Sequence, residues 1–135
     1  MRQSRFSLLG ALLLVVPLGF AAIFGWRTAL EQSTMPLMFL TALLAILAGR
    51  VAAVELGGVR LSWRHLLATA YVLAAISFPL QQAPRTLAGA TSTGQHVLFG
   101  ATVVTACCLV FFAVEIARDG RHFEITADVD RVFAL

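Results

Sequence analysis

"LAGRVAAVEL", residues 47–56, ends a long apolar run with an arginine and a glutamate, Arg50 and Glu55. Two readings compete for these charges. In the first they mark the place where a membrane helix meets the cytoplasm. Arg50 lies six residues before Leu56, about 9 Å along a helix at 1.5 Å per residue, and an arginine stem can cover much of that distance to set its guanidinium among lipid headgroups. Glu55 then sits at the boundary. Five residues apart, the two lie about 140° around a helix and do not face each other, so Arg60 and Arg64, beyond the Gly57–Gly58 turn, are the expected partners of Glu55. In the second reading Arg50 points into a helix bundle and holds an anion or a carboxylate, as intramembrane charges often do.

The chain around this stretch favours lipid. Of its 135 residues 59% are hydrophobic and only 13% charged, and its mean hydropathy is +0.87, well beyond the balance of a soluble domain. The apolar residues fall into four blocks of roughly 20, each long enough for a hydrocarbon core of about 30 Å. These blocks predict helices over residues 6–26, 35–56, 62–80 and 96–117. The expected fold is therefore all-α, a four-transmembrane-helix bundle in residues 1–117 with a short cytoplasmic C-terminal tail, 118–135. Pro17 should kink the first helix. Ser33 and Thr34 can cap the second, and Pro79 and Pro84 should end the third. Two arginines precede the first apolar block, as in a secretory signal, but the run is longer than the roughly 7–15 residues of a signal core and reads as a retained span.

All ten basic residues are arginine. Arg2, Arg5, Arg50, Arg60, Arg64, Arg118, Arg121 and Arg131 fall on one side of the expected topology, and only Arg27 and Arg85 on the other. Because basic residues accumulate on the cytoplasmic side, both termini are expected there, in the inner (plasma) membrane of the cell. The arginines are spread over loops and helix ends, with no basic helix or stripe, so nucleic acid is not an expected partner despite a net charge of +3. Trp26 and Trp63 suit membrane interfaces.

At similar depth on the cytoplasmic side, Arg50, Glu55, Arg64 and Glu115 make a candidate binding cluster. In the second helix, Thr41, Ala45, Gly49 and Ala53 recur at spacing four, a small-residue stripe that lets another helix approach closely. That stripe serves either internal packing or contact with another membrane protein or a second copy. No cofactor is expected. Cys107 and Cys108, adjacent in an apolar block, have neither disulfide nor zinc spacing. His65 and His96 are expected at opposite membrane faces, and His122 lies in the tail, so no two histidines match in depth for a haem. Neither a phosphate loop nor a nucleophile elbow is present, and an enzyme is not expected. In the tail, Phe123, Ile125, Ala127 and Val129 alternate as in a strand, whereas Val129, Val132 and Phe133 share a helical face. A lone edge strand is unstable, which favours a short docking helix.

The hairpin "GRVAAVELGGVRLSWRHLLATAYVLAAISFPL" resembles the phosphate-starvation-inducible E family of small four-helix membrane proteins. The likeness rests on Arg50 and Glu55 closing the second helix, the short link with Arg60, and the apolar helix from Leu66, and it covers roughly residues 45–117. It implies an accessory or regulatory membrane protein. The expected function is thus a non-enzymatic accessory subunit or regulator in the lipid bilayer, packed against other membrane helices. The alternative is a small oligomeric transporter or channel with Arg50 lining an anion path.

Overall fold

A computed structural model describes residues 2–89, 92–118 and 125–134. Its elements, in order, are α1 (Arg5–Phe24), α2 (Trp26–Glu31), α3 (Thr34–Arg50), β1 (Ala53–Leu56), β2 (Val59–Ser62), α4 (Trp63–Leu87), α5 (Thr93–Ala117) and β3 (Val132–Ala134). The chain is predominantly helical with one small sheet. Arg121, His122 and Phe123 of the expected tail lie outside the described residues.

The four long helices run alternately up and down, and each packs on the next: α1 on α3, α3 on α4, α4 on α5. α1, α4 and α5 are long and apolar enough to cross a membrane, whereas α3 is a shorter apolar helix of 17 residues, about 25 Å. α1 continues through Pro17 and ends at Gly25, φ +87°. α5 begins at Thr93, three residues ahead of the expected start. There the N–H of Ser92 donates to Gln95 Oε1 at 3.2 Å, half of a capping box.

Three further features differ from the sequence expectation. The second helix does not reach Leu56: it stops at Arg50, and Val51 is extended at φ −132°, ψ 144°. Residues 53–62 form an antiparallel hairpin, with Glu55 opposite Arg60 and Val54 opposite Leu61. Its turn is Gly57–Gly58, φ +54° and +91°, the backbone that a two-residue hairpin turn requires and that only residues without a Cβ adopt cheaply. The third helix does not end at Pro79 or Pro84 but runs through both to Leu87. Each proline removes one N–H donor from the helix ladder, yet the helix continues on both sides of it. Finally, the tail forms no helix over Val129–Phe133. Residues 132–134 are a strand, β3, parallel to β1, which gives the sheet order β2-β1-β3. The strand is not isolated, because β1 offers an open edge whose N–H and C=O groups need partners.

The densest core lies where this sheet meets the helix ends. Phe6, Ala48, Val51, Val54, Trp63, Leu66, Leu67 and Ile116 form one buried cluster, drawn from the start of α1, the end of α3, the hairpin, the start of α4 and the end of α5. Elsewhere the helices interlock through small residues. A Cβ at Gly10 of α1 would lie 2.7 Å from the Ala42 carbonyl oxygen of α3, and one at Gly49 of α3 would collide with the Ser7 backbone of α1.

Candidate functional site

The site is the cap formed by both chain ends over the bundle. It starts from Gln3, which is fully buried just ahead of α1. Its Nε2 donates to the carbonyls of Ala48, at 2.8 Å, and Val51, at 2.9 Å. These are carbonyls at the C-terminal end of α3 that would otherwise lack a partner. The backbone N–H of Gln3 donates to Thr126 O at 3.1 Å, which brings the tail against the N-terminus. Next to it, Asp128 receives the Ser4 N–H at 2.9 Å on one carboxylate oxygen and the Ser4 hydroxyl at 2.6 Å on the other. The Ser4 hydroxyl bond, then the backbone bond, hold the Asp128 carboxyl below its ordinary pKa. A carboxylate there also faces the positive end of the α1 dipole. The Ala52 N–H donates to Arg131 O at 2.7 Å, and the Trp63 N–H to Ala52 O at 3.0 Å. N-terminus, hairpin and tail are thereby tied into one unit.

The structure brings all four residues of the expected charge cluster to this end, without making them one pocket. Arg50 is the last residue of α3 and is exposed. Among the described residues no carboxylate pairs with it. Glu55 is exposed on β1 and pairs with Arg60 across the hairpin, Nε to Oε1 at 3.8 Å, an open geometry of small energetic worth. Arg64 lies in the first turn of α4, its guanidinium carbon 5.1 Å from the centroid of the Trp63 ring, a cation–π distance. Glu115 is partly buried in the last turn of α5. Ser62 Oγ and His65 Nδ1 are 2.7 Å apart. His65 begins α4 at the cap, and His96 begins α5 at the far end.

In the small-residue stripe, Thr41, Ala45 and Gly49 are all buried on α3, and Gly49 meets α1. Ala53, the fourth member, is not on that helix: it is buried in β1, because the helix has ended three residues before it. Sequence reasoning missed Gln3, Ser4 and Asp128. Their partners lie 45 to 124 positions away, and no local pattern signals such contacts.

A second feature is an apolar cleft of about 210 Å³ between α1, α3 and α4, lined by Leu13, Val16, Met35, Met38, Phe78 and Gln81 among others. The Thr41 and Ser77 hydroxyls at its wall donate to carbonyls of their own helices, Leu37 O and Leu73 O, both at 2.8 Å. The cleft therefore offers hydrocarbon contact and little polar recognition.

The chain belongs to a family of unknown function, DUF7994, whose model matches residues 1–129, a span that includes the helices, the hairpin and the Ser4–Asp128 contact. No curated protein and no solved structure matches it.

Proposed function

We propose that the chain is an integral membrane protein with four spans and both termini in the cytoplasm. In this reading it acts without catalysis, as an accessory or regulatory subunit that packs against other membrane helices or a second copy of itself. The observation that carries the reading is α5. The most apolar 18-residue window of this 25-residue helix has a mean hydropathy of 2.5, yet only 6% of that window is buried within the chain. Val97, Val104, Phe111 and Val114 are exposed along it. In water such a surface would aggregate; in a bilayer it is free for lipid or for a partner helix. α3 supports a fourth span, since 17 residues is the short end of what crosses a bilayer. The arginines support the orientation: Arg2, Arg5, Arg50, Arg60, Arg64, Arg118 and Arg131 all belong to the cap end. The resemblance of residues 45–117 to the phosphate-starvation-inducible E family points to the same kind of role.

Purification in mild detergent, followed by cross-linking and mass spectrometry, tests the proposal. A stoichiometric membrane partner or a defined oligomer is expected. A lone monomer with no co-purifying protein would remove the accessory role, and a chain that stays monodisperse without detergent would remove the membrane placement.

A further inference from the structure

The cap sheet has two chemically different faces. Registers place Glu55, Arg60 and Ser62 on one side, together with Ala53 and Val132, as successive residues of a strand alternate. Val54, Leu61 and Phe133 occupy the other. Val54 belongs to the buried core and Leu61 packs against it, together with Phe6, Trp63, Leu66 and Ile116, all within the first or last turns of α1, α4 and α5. This apolar side therefore looks onto the helix ends. Phe133, on the edge strand, lies outside that cluster and is 49% exposed.

The height of Phe133 is also fixed. The Ala52 N–H, two residues past α3, holds Arg131 O, and Phe133 pairs with Val54. At about 3.3 Å per residue Val54 stands at most about 13 Å beyond the end of α3, and because it shares one buried cluster with the helix-end residues Phe6, Trp63 and Ile116, its strand is held against the ends of the bundle, at the membrane surface if the helices span. Arg131, exposed beside it, supplies a charge complementary to lipid phosphate.

We infer that the C-terminal strand is a membrane-interfacial element: Phe133 dips into the cytoplasmic leaflet while Arg131 engages phospholipid headgroups. The inference rests on the membrane reading above. An apolar ring with one open side leaves water when it enters the boundary between headgroups and acyl chains, where phenylalanine serves on the apolar side of interfacial segments. The tail is then held on the membrane and is not a free cytoplasmic segment.

Nitroxide accessibility in vesicles of phosphatidylethanolamine and phosphatidylglycerol tests this. Three single-cysteine proteins are needed: Cys107→Ala, which keeps Cys108 of α5, and Phe133→Cys and Glu55→Cys, each made with Cys107→Ala and Cys108→Ala. The oxygen-to-nickel-chelate accessibility ratio at position 133 is expected to be several-fold above that at 55 and below that at 108. A value at 133 equal to that at 55 overturns the inference, as does protection from both reagents, which would mean protein covers the ring. Should position 108 itself match 55, the membrane reading falls, and the inference with it. Phe133→Trp, which keeps an aromatic ring, provides the second measurement. Its added emission, taken against the unsubstituted protein, is quenched by brominated lipid if the inference holds and unaffected if it does not.

Discussion

Replacing glycine by alanine at two positions of α1 should change stability in opposite directions. Gly10 faces α3, and an added Cβ would sit 2.7 Å from both Ala42 O and Ile46 N and 2.8 Å from Ile46 Cγ1. Ordinary contact begins near 3.4 Å, so α1 and α3 must part by about 0.7 Å over backbone atoms that cannot rotate away. Overpacking of this kind costs about 1–3 kcal/mol. Gly19 of the same helix would meet nothing within 4 Å. Both substitutions gain the helix-propensity difference between alanine and glycine, about 0.5–1 kcal/mol. Gly19→Ala should therefore stabilise by about that amount. Gly10→Ala should lose about 0.5–2 kcal/mol net, and the gap between the two variants isolates the clash. Equilibrium unfolding in mixed detergent micelles, followed by the emission of Trp26 and Trp63, reads that gap directly. If the two midpoints agree within about 0.5 kcal/mol, the usual scatter of independent sites, the close α1–α3 crossing is wrong.

Gln3→Ala should strand the Ala48 and Val51 carbonyls and cost roughly 1–3 kcal/mol in the same assay. Gln3→Glu should be worse, since it sets a carboxylate against two carbonyl oxygens. Asp128 provides a pH test. Its folded pKa lies below the ordinary value of 3.8, so its hold on Ser4 is complete above about pH 4–5 and is lost as pH falls through the depressed value. The protection factors of amides at residues 126–128, taken against the intrinsic exchange rate at each pH, should fall on acidification over that range, and Asp128→Asn should flatten the dependence. Arg50→Ala should change stability by less than about 0.5 kcal/mol, as for an exposed residue without a built partner. Should it abolish anion flux in reconstituted vesicles, Arg50 is a pathway residue after all.

Hydrophobic run length made the helices legible, since each apolar block of the sequence contains a helix in the structure. The same signal hid the hairpin. "VAAVEL" continues the apolar run of α3 without a polar break, and only the Gly57–Gly58 pair distinguishes a strand that reverses from a helix that stops. Its partner Glu55–Arg60 was readable, because two residues on either side of a tight turn face each other whatever the flanking structure. Ser92 and Gln95 carried a capping signature that sets the start of α5 earlier than hydropathy does. β3 was not readable. A three-residue strand exists only because β1 leaves an edge open, and that edge is known only once the hairpin is. Gln3 and Asp128 belong to the same class: their identity is local, but what makes them important is a distant backbone.

The parallel pairing of β1 with β3 also sets an order of events during synthesis. From Leu56 to Val132 is 76 positions, so at about 5–20 residues per second the ribosome needs roughly 4–15 s to deliver the strand that completes the sheet. Throughout that interval both later helices, α4 and α5, are still being made while a bare strand edge waits, ready to capture any other extended chain nearby. Maturation of this protein thus closes from the last-made end backwards, and a nascent chain halted after α5 would be the species most in need of a chaperone.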